Sequence, residues 1–216
     1  MALDVFKNIK DKTIETHGID FSDNAVRVSK GKGHIVYKDV FENVYLPENS
    51  FDIVYSSNVI EHVASPNKFM QKVVLLLKPG GIFLCETPNI DSVEAKIFKR
   101  SGNWGGYHFP RHWSFFSDES IKCLGDQNGL KVDNIRYQPV PIFWIWTFHS
   151  VLFNLTRRKK IADFFFPLIE NNINYLYSLL LKINFTIWDY CIYFLTRKMA
   201  LMSITFKKSN EINKNG

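Results

Sequence analysis

Cysteine is scarce in this chain. Cys85, Cys123 and Cys191 are odd in number and far apart, which excludes a disulfide framework. No CxxC pair suggests a zinc site. No signal peptide is recognisable at the start, so a reducing cytoplasm is the expected compartment. A continuous basic stretch is also missing. The net charge of +6 is scattered, apart from Arg157-Arg158-Lys159-Lys160 and the Lys/Arg near the C-terminus. A nucleic-acid interface calls for a basic face, so nucleic acid is not an expected partner. Glycine is absent before Gly18, so no phosphate-cradling glycine loop precedes that point. Charge is absent from Tyr137 to Thr156, a run that approaches the length of a membrane span.

The remaining composition is that of a globular protein. Hydrophobic residues make up 46% of the 216, charged residues 22% and aromatics 15%. Leu3, Phe6 and Ile9 share one face of a helix ending near Lys12, and an apolar strand runs from Ile14 to Ile19. Ser22 caps a short helix that Gly31-Lys32-Gly33 ends. Strands follow at His34–Lys38 and Phe51–Tyr55. A helix over Pro66–Leu77 stops at Lys78-Pro79-Gly80-Gly81, and Ile82–Cys85 is a fourth strand. A long loop, Thr87 to Phe116, is rich in aromatics, Gly and His, as lids are. Ser117 caps a helix over Asp118–Gln127, and strands follow at Leu130–Tyr137 and Ala200–Phe206. Strands alternating with helices at this spacing predict an α/β fold with a mostly parallel sheet covered on both faces. Ligands of such sheets bind beyond the carboxyl ends of the strands. The polar residues Asp20, Asp39, Ser56 to Asn58 and Glu86 to Asn89 stand at those ends.

The stretches GIDFSDNAV, LPENSFDIVYSSNVIEHV, LLKPGGIFLCETPN and WGGYHFPRHWSFFS, with the Asp39 turn and NGLKV, occur here in a fixed order. The set resembles class I S-adenosylmethionine-dependent methyltransferases, in particular small-molecule O-methyltransferases of the ubiquinone-pathway type. The resemblance implies a Rossmann-like sheet that lacks its first strand and its glycine loop. It also implies S-adenosyl-L-methionine as cofactor. Asp20 would accept from the ribose hydroxyls and Phe21 would pack on adenine. Asp39 would accept from the adenine amino group, with Val40 lining that pocket, and Ser56 would stand beside the methionine part. His112, which fills the histidine position after Pro-Arg in the lid, is the first candidate base, with His108 and His62 behind it. Some relatives hold a divalent metal with Glu-x-x-Glu-His. Asn58 replaces the first Glu here, so no metal is expected, and Glu61-His62 reads as a helix start on the pocket floor. The turn-capping alternative for Asp20 and Asp39 stays open, as does a purely lid-tying role for His112. The rival to an active enzyme is a truncated, non-catalytic remnant or partner-dependent subunit. A nicotinamide-dependent enzyme is disfavoured, because nothing matches a dehydrogenase catalytic set.

The domain reading is a partial core over 1–140, a hydrophobic aromatic-rich helical insertion over 141–196, a last strand within 197–208 and a disordered tail over 209–216. Pro139 and Pro141 shorten the uncharged run to about fifteen helical residues, too few to span. Aromatic helices flanked by Lys and Arg suit an anionic membrane surface. A subdomain packed on the sheet, or a homodimer contact, is the alternative. A peripheral position on the inner face of the membrane would match a lipid-linked acceptor; otherwise the acceptor is a small molecule.

Overall fold

The computed structural model describes residues 2–7, 14–108, 110–168 and 174–209. The expected tail beyond Ser209 and the second half of the expected first helix lie outside them. The chain forms two compact units, Met1–Glu48 and Asn49–Gly216.

In the first unit, helix α1 (Ala2–Lys7) precedes strand β1 (His17–Ile19), helix α2 (Asp23–Gly31) and strand β2 (Ile35–Tyr37). The strands pair in parallel, with His17 opposite Ile35, and α2 is the crossover that a parallel pair requires. Ser22 begins α2 in extended backbone and its hydroxyl accepts from the Ala25 amide. His34 is buried; its Nδ1 meets the Thr16 hydroxyl at 2.6 Å and its Nε2 meets Asp4 at 3.2 Å. That imidazole ties α1 to both strands. Gly18 lets α1 approach, because a Cβ there would lie 3.0 Å from Leu3 Cδ1.

In the second unit, the element order is β3 (Phe51–Ser57), α3 (Pro66–Leu76), β4 (Leu77–Pro88), α4 (Val93–Phe98), α5 (Asp118–Gln127), β5 (Leu130–Gln138), α6 (Pro141–Thr156), α7 (Lys159–Phe165), α8 (Tyr175–Thr196) and β6 (Leu201–Lys208). The sheet order is β3-β4-β6-β5. β3 and β4 are parallel, whereas β6 runs antiparallel to both β4 and β5. β3, β4 and β5 thus share one direction and β6 alone is reversed, so the expected mostly parallel sheet is found among the described strands as a mixed sheet with one antiparallel member. β6 returns from the helical section and enters between the two strands that precede it.

Local chemistry explains most element ends. Ser65 caps α3, with Pro66 in its first turn. Pairing of β4 with β3 begins already at Leu77, earlier than the sequence suggested. Residues 78–81 loop out before Ile53 meets Ile82, with Gly80 at φ 75°. Ser117 and Ser120 cap α5 reciprocally. The expected long loop over 87–116 contains α4 and 3-10 turns at Lys99–Ser101 and Gly105–Tyr107. Its two ends are tied together: Asn89 pairs with Phe116, and Ile90 donates to the Phe116 carbonyl at 2.9 Å.

The sheet core is built on Phe83 and Phe206, stacked at 5.7 Å, with Phe69, Met70, Val73, Ile121 and Leu130 buried beside them. Full burial of each such side chain contributes roughly 1.5–3 kcal/mol. Gly125 gives α5 its close seat, since a Cβ there would meet Phe206 at 2.5 Å. The helical section has a separate core of Trp144, Ile145 and Phe185, packed by Phe98, Phe148 and Phe166.

Candidate active site

The first unit holds the expected ribose and adenine ligands at the carboxyl ends of its two strands. Asp20 follows β1, and its Oδ1 accepts from the Ser22 amide at 2.8 Å. Asp39 follows β2, and its Oδ1 accepts from the Val40 amide at 2.7 Å and from the Asn43 side-chain amide at 3.0 Å. Each carboxylate thus shapes its own turn with Oδ1, which is the turn-capping chemistry, and leaves Oδ2 for another donor. Phe21 and Val40, next to these acids, are exposed at 77% and 46%.

Ser56 lies in β3 of the second unit. It is buried, and its hydroxyl donates to the Cys85 thiol at 3.8 Å. Burial pushes that thiol up to about 12, so it stays protonated. The exposed polar residue at this strand end is Asn58, at φ 51°, whose amide donates to the Glu86 carbonyl at 2.9 Å.

Glu61 and His62 follow in a turn, not at the helix start the sequence suggested; α3 begins only at Pro66. Ser65 takes the cap, so the turn is free to face the lid. The Glu61 carbonyl accepts from the amides of Trp113 and Ser114 at 2.8 and 3.2 Å, and His62 Nδ1 donates to the Arg111 carbonyl at 2.8 Å. These bonds bring His62 and His112 together, with ring centroids 4.7 Å apart, and His108 lies 5.3 Å from His112. The three candidate bases are therefore one cluster.

His112 is buried, and its Nδ1 lies 2.8 Å from the Gly106 carbonyl. A carbonyl only accepts, so Nδ1 carries the proton and Nε2 carries the lone pair. Burial, with His62 and His108 adding to it, holds this imidazole below the usual histidine range. His108 is lowered too, by burial and then by Arg111 and His62. It stacks on Trp146 of α6 at 5.0 Å and sits in left-handed backbone at φ 40°. An open cavity of about 750 Å³ is lined by Gly102, Tyr107, Pro110, His112, Trp113 and Phe115.

The sequence reading did not assign Glu61 a buried acid's role. The residue is 1% exposed, and its Oε2 accepts from the buried Thr87 hydroxyl at 3.1 Å. Oε1 has no partner, and burial raises the carboxyl above the ordinary range. Ligand atoms of Glu61, His62 and His112 all lie within 4.8 Å of one another. The sequence held a signal for this: an acid set among Val59, Ile60 and Val63.

A family model described as a methyltransferase domain matches residues 3–135. The chain belongs to the methyltransferase-domain family. Similar curated proteins are ubiquinone biosynthesis O-methyltransferases. The mitochondrial enzyme of Rattus norvegicus is 31% identical over 50% of this chain and 34% of its own length. That of Ruegeria sp. is 34% identical over 45% and 41%. The chain thus spans well under half the length of these relatives. Among solved structures, a SAM-dependent methyltransferase from Archaeoglobus fulgidus superposes with a TM-score of 0.54 at 20% identity, covering 94% of this chain and 80% of that one. A mycolic acid cyclopropane synthase complexed with SAH and CTAB gives 0.54 at 16%, covering 94% and 73%. The fold is that of these Rossmann-like class I methyltransferases. Within the family's matched region stand every expected cofactor ligand and all three histidines.

Proposed function

We propose that this methyltransferase-domain chain binds S-adenosylmethionine and directs its methyl group to the oxygen of a small or lipid-linked acceptor, with His112 as base. The observation that carries the reading is the His112 ring. Its Nδ1–H is fixed on the Gly106 carbonyl and its Nε2 is left to accept, in the wall of an aromatic cavity. An imidazole held below the usual histidine range is neutral at neutral pH, the form a general base needs. Tyr107, Trp113 and Phe115 give the cavity the flat apolar surfaces that an aromatic or isoprenoid acceptor would fill.

The residues of the first unit suit the adenosine part of the cofactor. Oδ2 of Asp20 and of Asp39 can accept from hydroxyl and amino donors, and exposed Phe21 and Val40 can cover a purine face. Bound S-adenosylmethionine would supply a sulfonium methyl open to in-line displacement, with the thioether as leaving group. The chain's own part is to hold the acceptor oxygen in line, take its proton at His112 Nε2 and keep water out with the lid. Calorimetry of the full chain with SAM and with SAH tests the first half: no binding of either defeats the reading. The second half is tested by methylation of a catechol-type acceptor. Its rate should rise with pH as His112 loses its proton, and His112→Gln should abolish that rise.

One observation favours a second reading. Glu61 Oε1 is a buried acceptor without a partner, and both His62 and His112 have Nδ1 pinned to carbonyls. Imidazoles oriented in this way offer Nε2 to a divalent cation. In that case the cation, not His112, would acidify the acceptor hydroxyl. Titration of the full chain with zinc or magnesium separates the two readings, since a cation bound at this cluster would be lost in Glu61→Gln.

A further inference from the structure

Helix α8 is covered on one side and carries an exposed apolar stripe on the other. Ser178, Phe185 and Asp189 form its buried stripe, seated on α6. There Phe185 stacks on Trp144 at 6.1 Å, and Asp189 accepts from the Trp144 indole N–H at 2.7 Å. At about 100° per residue, Leu176, Leu180, Ile183, Ile187 and Phe194 fall on the far side of the helix. Those five are 47–73% exposed. Trp188 and Leu195 are exposed as well, and a shallow cavity of about 330 Å³ between them has almost wholly apolar walls. A soluble helix keeps its outer face polar, and a helix that is apolar all round has a second surface against it.

The charge of the helical section indicates what that surface is. The helical section carries Arg157, Arg158, Lys159 and Lys160 from the end of α6 into the first turn of α7, and Arg197 just beyond α8, whereas Lys198 is paired with Asp118. Among its described residues the acids are Asp163, paired with His149, and Asp189, buried under Trp144. Phe164 and Phe165, later in the same helix α7, are exposed. A second copy of the chain would bring the same cations to the contact and repel. An anionic bilayer neutralises them, at about 1 kcal/mol for each Lys or Arg near the surface. None of the described helices is long and apolar enough to cross a membrane. At about 33 Å, α8 is suited to lie flat with its outer stripe among the acyl chains.

We infer that the outer face of α8, with the Arg157–Lys160 cluster, docks this chain on an anionic phospholipid surface. The inference stands apart from the methyl-transfer reading. Nothing in it requires the cofactor or His112.

The test is flotation of the full chain with phosphatidylcholine vesicles, with and without phosphatidylglycerol. Co-flotation should require the anionic lipid and fall with added salt. The triple variant Leu180→Glu, Ile187→Glu, Phe194→Glu should lose about tenfold or more in partitioning. It alters only exposed positions, and circular dichroism checks that it is folded. The variant Arg157→Gln, Arg158→Gln, Lys159→Gln, Lys160→Gln leaves the apolar stripe intact and should lose binding to anionic vesicles alone. Equal binding to neutral vesicles overturns the inference, as does no effect of either variant. A stable dimer that the triple variant dissociates, with no flotation of the parent chain, overturns it in favour of a second copy.

Discussion

The turn Gly105–Tyr107 serves two buried carboxyl centres that are built alike and surrounded differently. Its Gly106 carbonyl holds His112, whose neighbour is Glu61. Its Gly105 amide donates to the Thr147 hydroxyl at 2.7 Å, and that hydroxyl donates to Glu94 Oε1 at 2.5 Å. Both glutamates are nearly inaccessible, both accept a threonine hydroxyl, both keep one oxygen unpartnered, and burial raises both. Around Glu61 stand imidazoles and an open cavity. The groups acting on Glu94 are Thr147, Trp104 and the Asp189 carboxyl. A perturbed acid is thus not a site by virtue of its perturbation. It becomes one where a proton acceptor and a route for substrate adjoin it.

The comparison breaks most sharply at His112. His112→Gln should lower kcat by about 10²–10⁴, the range for loss of a general base. Glu94→Gln should leave kcat within about twofold, since it touches neither acceptor nor cofactor. Methyl transfer to one hydroxyl acceptor, measured on both variants, decides this. Equal losses would mean that the two centres are not distinct. Glu61→Gln should fall between them, with kcat down about tenfold while Tm holds or rises. It removes a buried charge with an unpartnered oxygen, and activity bears the cost.

Legibility followed the reach of each interaction. Helix α5 was readable to the residue, because Ser117, Ser120 and Gly129 are local signals. The start of α6 and the C-terminal ends of α6 and α8 were close to readable, because Pro141 marks the first and basic residues follow Thr156 and Thr196; the start of α8 carried no such signal. Six-residue α4 was not readable, since it is too short to show a period. The entry of β6 between β4 and β5 was not readable either, because that pairing joins segments on both sides of the helical section. At the site, each histidine was visible singly. Their meeting at Glu61 depends on lid amides bonding to the Glu61 carbonyl, which no spacing rule encodes. Asp189 did carry a signal, as the lone acid of α8, which burial obliges to find a partner.

The next largest effect concerns pH at the structural centre. Glu94 is raised from 4.5 to about 8. The unfolded chain gives up that proton first, so stability is full below about pH 4.5 and is lost as pH rises through about 8. Glu94→Gln cannot ionise. Its Tm should be nearly flat over that window where the parent declines, and at the alkaline end it should exceed the parent by about 4–8 °C for roughly 2 kcal/mol. Thermal melts across the range check this. Thr147→Val acts on the same bonds without changing charge. It strands the Gly105 amide, and should cost about 1–3 kcal/mol at every pH.

The smallest expected effect lies where the helical section meets the histidine cluster. His108 stacks on Trp146, and burial is the first cause of its lowered pKa. Trp146→Leu keeps an apolar contact but uncovers one ring face. Water then reaches the imidazole, the charged form is penalised less, and the His108 titration should move up towards the ordinary histidine value. Arg111 and His62 still oppose protonation, so it should not arrive there. The shift is readable by proton NMR of the His108 ring. A downward move of His108 would show that Trp146 stabilises the imidazolium through its π face. The tryptophan would then tune the cluster electrostatically and not by exclusion of water.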